Sequence, residues 1–206
     1  VYSEDLPYGV EVPYDVSDGL VTITIPKVSI LTSVEVRPRF EFHEPLVINE
    51  PTTFEGGTYT LDRSVIVNSS LSIVNSVVEM RGSVKPIRIE VLPGASLVVV
   101  NSTIRKTTGS YYIVARKGSS VFISGSDISG AGLLGPLERG GICIETEGSV
   151  IINSKIHDNY DYGLLLFAAN NSVVANCEFY DNTLGVSIVD SSFVEFYNNT
   201  VINNHV

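Results

Sequence analysis

The sequence predicts an all-β chain: a parallel β-helix over residues 46–206 with an N-terminal β cap or arm over residues 1–45. Three observations carry this. Val, Ile, Ser, Thr and Asn outnumber the helix formers, which is a strand-and-turn composition. Apolar segments recur with an Asn or Gly at the same point of each, at Gly56, Asn75, Asn101, Gly125, Asn153, Asn176 and Asn198. Successive anchors are 19, 26, 24, 28, 23 and 22 residues apart; after the short first interval the period is about 22–28 residues, which marks a repeat architecture.

The N-terminal segment stands outside the repeat. Pro7, Pro13, Pro26, Pro38 and Pro45 punctuate it, and "LVTITIP" and "SVEVRPRFEF" alternate as half-buried strands do. A solenoid end exposes apolar side chains and strand edges, so these strands are expected to cap the coils or reach to another chain. From residue 46 onward each copy reads as strand, one-residue bend, strand. Phe54, Ile73, Val99, Ile123, Ile151, Val174 and Phe196 lie two residues before the bend, and Tyr59, Val78, Ile104, Ile128, Ile156, Phe179 and Val201 lie three after it. A third strand follows in "GICIE", "GLLLF" and "GVSIV", which begin at Gly141, Gly163 and Gly185. Alternation in these strands predicts Ile142, Ile144, Leu164, Leu166, Val186 and Ile188 inward. Three short strands per turn, stacked about 4.8 Å apart, make the solenoid. The bend asparagines Asn75, Asn101, Asn153, Asn176 and Asn198 are then expected to stack as a buried amide ladder, each donating to one coil and accepting from the next.

With these bends, and with "YDNTLGVSI" and "HDNYDYGLLL", the chain resembles the right-handed parallel β-helix repeat proteins of the pectate-lyase-like superfamily. Within it the similarity is to NosD-like and archaeal cell-surface β-helix proteins. The resemblance covers roughly Leu46 to the C-terminus and implies right-handed winding. It also implies where an enzyme of this type would keep its site: calcium-binding carboxylates with an Arg or Lys base, or paired aspartates with Gly-His-Gly and Arg-x-Lys, on outward strand faces. None of those motifs is present, and of the outward residues of the three late strands only Glu145 ionises at neutral pH without help. General acid–base work on a sugar needs two placed groups. No catalytic residue is therefore assigned; Asp127 and Glu138, near or on the inserted "SGAGLLGPLERGG", are where an alternative carbohydrate-active site would lie.

His43, His157 and His205 have no metal-ligand spacing. Cys177 is expected inward and Cys143 outward, so no disulfide is expected. Oxygen ligands make calcium the one candidate cofactor: Asp158 and Asp181 fall five residues after their bends, with Asp161 nearby. Turn capping by the same side chains is the rival reading.

Net charge is −10, which excludes a general nucleic-acid binder, and no apolar run approaches a membrane span. Charge is segregated along the axis. Residues 81–117 are net +6, from Arg81, Lys85, Arg88, Arg105, Lys106, Arg116 and Lys117 against Glu90, and residues 1–57 and 118–206 are net −7 and −8. That belt is a candidate site for an anionic ligand or a neighbouring acidic end. Of four sequons, Asn68 and Asn170 fall in turns and are the expected glycan acceptors; Asn101 and Asn198, as ladder members, are expected to be buried. The composition fits an extracellular or cell-surface protein. Its expected partners are further copies, another surface protein or a glycan. After the last bend no third strand follows, which predicts either end-to-end association into a filament or layer, or a piece of a longer helix.

Overall fold

A computed structural model of the chain describes residues 43–83, 85–133 and 135–205, with four short strands among residues 1–41. The chain divides into two units, Val1–Glu41 and Phe42–Val206. In the first, Tyr14–Ser17 pairs antiparallel with Leu20–Ile23, and Tyr2–Ser3 with Leu31–Ser33. The stretch from Val34 to Phe42, and with it most of the expected cap or arm, lies outside the described residues.

The second unit is a parallel β-solenoid of three seven-stranded sheets. The pre-bend sheet holds Thr52–Glu55, Ser70–Val74, Ser96–Val100, Ser120–Ser124, Val150–Ile152, Val173–Ala175 and Glu195–Tyr197. The post-bend sheet holds Thr58–Leu61, Val77–Arg81, Thr103–Thr108, Asp127–Ser129, Lys155–His157, Glu178–Tyr180 and Thr200–Ile202. The third sheet holds Leu46–Ile48, Val65–Val67, Ile87–Val91, Tyr111–Ala115, Ile142–Ile144, Tyr162–Phe167 and Leu184–Val189. Each coil supplies one strand to each sheet, so residues at one repeat position stack in a column.

The columns form the core as their alternation requires. Ile73, Val99, Ile123, Ile151 and Val174 line one wall; Val78, Ile104, Ile128, Ile156 and Phe179 line the next. Ile89, Ile113, Ile142 and Leu164 line the third. Each such side chain contributes about 1.5–3 kcal/mol relative to exposure. Tyr111 is also wholly buried in the lumen, where its hydroxyl donates to the Ser129 carbonyl at 2.9 Å. At the last rung Val186 packs on the core, while Ile188, Phe196 and Val201 are exposed and line an open hollow with Gly185.

The bend asparagines are not the expected ladder. Asn75, Asn101, Asn153, Asn176 and Asn198 are all exposed, with φ between 46° and 56°. Gly56 and Gly125 take the same left-handed conformation, at 66° and 59°. Asn and Gly share this position because both tolerate positive φ. The inter-coil bonding sits one residue later and six residues later. At the first place Ser76, Ser102 and Ser126 each donate a backbone N–H to the next serine hydroxyl, at 3.1–3.2 Å, ending on Ser154. At the second lies a true amide ladder of Asn159, Asn182 and Asn204. Asn182 Oδ1 accepts from the backbone N and Nδ2 of Asn159, and its own Nδ2 donates to Asn204 Oδ1 and the Ile156 carbonyl.

This ladder also bears on two of the third-strand glycines. A Cβ on Gly163 would lie 2.5 Å from the Gly185 carbonyl oxygen and 2.9 Å from Asn182 Nδ2, and one on Gly185 would lie 2.8 Å from Asn204 Nδ2. The side chain is omitted where the amide crosses.

Candidate functional site

The three sheets present three chemically different outer faces. On the post-bend sheet the five middle strands each place a charged residue outward. His157 lies between two carboxylates, its Nε2 3.1 Å from Asp127 Oδ1 and its Nδ1 2.7 Å from Asp158 Oδ2. Its ring stacks on Tyr180 from the next coil, with centroids 4.5 Å apart and planes 5° from parallel. Arg105 reaches Glu79 at 2.7 Å and Lys155 reaches Glu178 at 3.6 Å. The Arg105 pair was legible, since both residues fall four after their bends. The histidine cluster was not, because Asp127 and His157 sit in adjacent columns and meet diagonally.

On the third sheet a charge ladder climbs three coils. Glu90 accepts from Arg88 at 2.7 Å and from Arg116 at 2.8 Å, and Arg116 also reaches Glu145 at 3.1 Å. Burial pushes the Glu90 carboxyl up, but the two guanidiniums outweigh it and hold the group below its ordinary value. Its stabilising share is therefore fully present above the unfolded glutamate value, about 4.3. It is lost as pH falls through the lower folded value. Glu90→Gln should cost about 1–2 kcal/mol at neutral pH. The gap from wild type in urea midpoint should close as pH drops below 4. A gap that persists unchanged at low pH would mean that Glu90 acts through packing alone.

Beside that ladder the outer face is apolar and covered. Tyr112, Val114, Cys143 and Leu165 are buried outside the lumen, with Leu133, Tyr162, Phe167 and Val189 against them. The cover is the insertion of the longest coil, which carries the short 3-10 helix Leu137–Arg139. Gly132 N donates to the Tyr111 carbonyl at 2.6 Å, and the Gly140 carbonyl accepts from the backbone N of Asp161 and Tyr162 at 3.1 and 3.0 Å. Cys143 thus points outward, as alternation predicts, yet meets the insertion and not solvent. Burial, and secondarily Glu145, pushes its thiol up to about 12. Cys177 is buried in the serine column, and both cysteines are free.

The outer face of the pre-bend sheet is uncharged on its five middle strands. From Ser70 to Ala175 its outward residues are Ser70, Ser72 and Val74; Ser96, Val98 and Val100; Ser120, Phe122 and Ser124; Val150 and Ile152; and Val173 and Ala175. Glu55 and Glu195 flank this field on the first and last rungs.

The expected site residues are dispersed. Asp158 and Asp181 are exposed in left-handed turns, at φ 53° and 54°. Asp158 is engaged by His157, and Asp161 is half-buried, its carboxyl pushed up by burial. Among the described residues no three carboxylate, imidazole or thiol side chains gather to hold a metal ion. The three aspartates do not gather, and Asp158 and Asp181 serve as left-handed turn residues. In the basic belt Arg88, Arg105 and Arg116 are paired with glutamates, while Arg81, Lys85, Lys106 and Lys117 are exposed. Sequence position places these groups at one height but on different faces. Asn68 is exposed and donates to Asn49 at 3.1 Å. Asn170 is half-buried and accepts from Ser192 N at 2.7 Å. Contrary to expectation, Asn101 and Asn198 are exposed at bend apices.

The family described as right-handed beta helix region matches residues 88–206, more than half of the chain. The chain belongs to the right-handed β-helix family. No curated protein matches it. Among the described residues no helix is long and apolar enough to cross a membrane.

Proposed function

We propose that this right-handed β-helix protein is a structural or adhesive solenoid of the cell surface or the extracellular space. It works by contact with further copies, another surface protein or a glycan. The observation that carries this reading is the disposition of outward ionisable groups. Both ring nitrogens of His157 face carboxylates, and Glu90, Glu145 and Glu79 face guanidiniums. Such engagement ties each group into a bond between coils, a structural role, whereas acid–base catalysis uses a group aimed at a substrate. Four sequons and an acidic net charge support the location.

A second reading, a carbohydrate-active enzyme, has one observation in its favour. Asp127, His157 and Asp158 sit together on a parallel sheet face, where a glycan could lie along the axis. The two readings part on incubation with polygalacturonate, alginate and neutral glucans, with and without calcium. No released product is expected. Product that disappears in Asp127→Asn or Glu145→Gln would establish the enzyme instead.

A further inference from the structure

We infer that the uncharged outer face of the pre-bend sheet is a self-association surface, and that its occupant is the same face of a second copy. The inference rests on reading the chain as a contact-making solenoid.

Three observations point to a second copy. The chain carries a net charge of −10, so two copies repel wherever charged surfaces meet. Between Ser70 and Ala175 this face carries no charged side chain, unlike the outward positions of the post-bend sheet, with Glu79, Arg105, Asp127, Lys155 and Glu178. The third sheet's apolar outer patch is already covered by the Leu133 insertion. The pre-bend face is thus where like can meet like without burying a charge.

The second observation is shape. Ser70, Ser96 and Ser120 form one column. Ser72, Val98, Phe122, Val150 and Val173 form the next, and Val74, Val100, Ser124 and Ile152 the third, which ends at the buried Ala175. Small β-branched residues and serines keep the surface flat, and Phe122, 37% exposed, stands above it. Two such faces share one rung spacing by construction, so the ridges of one match the furrows of the other across every rung. Sheet faces pack in this way about 10 Å apart.

The third is size. Twelve accessible positions, each about 4.8 by 7 Å, offer about 400 Å² per copy. The pair would bury about 800 Å², short of the roughly 1,200 Å² of stable complexes. The contact is therefore a weak, reversible dimer. Because it is apolar and opposed by charge repulsion elsewhere, salt strengthens it. Association through the basic belt would weaken with salt.

The test is sedimentation velocity of the full chain over a wide concentration series at low and high salt. A monomer–dimer equilibrium that tightens with salt is expected. Phe122→Glu and Val150→Glu, each placing a carboxylate on the face, should weaken it at least about tenfold, or about 1.4 kcal/mol. Thermal melts check that both variants fold. Phe196→Ser, on the exposed last rung, should leave it unchanged. A wild type that stays monomeric at every concentration overturns the inference. So does association that weakens with salt, or that is lost only in Phe196→Ser. Co-sedimentation of a monomeric wild type with insoluble cellulose or chitin, lost in Phe122→Glu, would give the face to a glycan instead. Each of these failures leaves the non-catalytic reading standing, since only released glycan product removes that.

Discussion

Asn182→Ala should destabilise the solenoid by about 3 kcal/mol or more, while Asn101→Gly should cost well under 1 kcal/mol. Asn182 is fully buried and its amide makes four inter-coil contacts. Truncation leaves the Asn159 side-chain amide and backbone N–H, and the Ile156 carbonyl, without that partner in a dry wall. Each buried polar group so stranded costs about 1–3 kcal/mol. Losses in one network do not simply add, because neighbours shift to share the remaining bonds. Asn101 is exposed, and Gly125 does the same turn one coil later. Glycine there keeps the left-handed conformation and adds only unfolded-state entropy. Urea melts followed by far-UV circular dichroism compare the two. Because a repeat array can unfold in steps, the midpoint of the transition is read alongside its slope. If Asn101→Gly costs as much as Asn182→Ala, the bend column and not the inner column carries the ladder.

The same pair of asparagines indicates what the sequence could and could not disclose. Period, coil boundaries and core columns were legible, because an inward position must be apolar in every coil and Ile73, Val99, Ile123, Ile151 and Val174 obey that. Which asparagine column is buried was not legible from periodicity, since residues 153, 176 and 198 and residues 159, 182 and 204 recur at the same intervals. One signal does separate them. Gly replaces Asn at Gly56 and Gly125, which a left-handed turn permits and an amide ladder does not. The inner column is Asn in its last three coils only, and it begins at Ala131, whose backbone N donates to Asn159 Oδ1.

Lateral position was harder to read than height. The basic belt is a feature of the linear sequence, but charge pairing is decided by columns, and there the glutamates Glu79, Glu90 and Glu145 meet the arginines. The covered face left a clearer trace. Tyr111–Ala115 and Ile142–Ile144 are apolar at successive positions, and strands buried on both sides lose their alternation. The 28-residue coil with its glycine-rich insertion lies between them and supplies the cover.

That cover hinges on Gly141, and Gly141→Ala should lift it. A Cβ at Gly141 would run into the Tyr162 carbonyl oxygen, and one at Gly140 would lie 2.8 Å from Asp161 Oδ2. The obstacle at Gly141 is backbone and cannot rotate aside as the Asp161 side chain can, so the strand of one coil must move off the other. The movement strains the bonds from Asp161 N and Tyr162 N to the Gly140 carbonyl and from Ile113 N to the Gly141 carbonyl. Overpacking of this kind costs about 1–3 kcal/mol. The consequence falls on Cys143, whose thiol is pushed up to about 12 chiefly by burial beneath the insertion. Wetting the patch removes that cause, returns the thiol toward its ordinary value and raises the thiolate fraction that reacts. Cys177 lies in the inner serine column and is an internal control, its sulfur 3.3 Å from the Ala175 carbonyl. Alkylation under native conditions, mapped by mass spectrometry, should leave both cysteines of the wild type unmodified. In Gly141→Ala, Cys143 should label rapidly while Cys177 stays protected. If the two label together, the substitution has unfolded the coils and Gly141 supports the solenoid as a whole. If neither labels, the crossing accommodates a methyl group and the insertion is held by its apolar contacts instead.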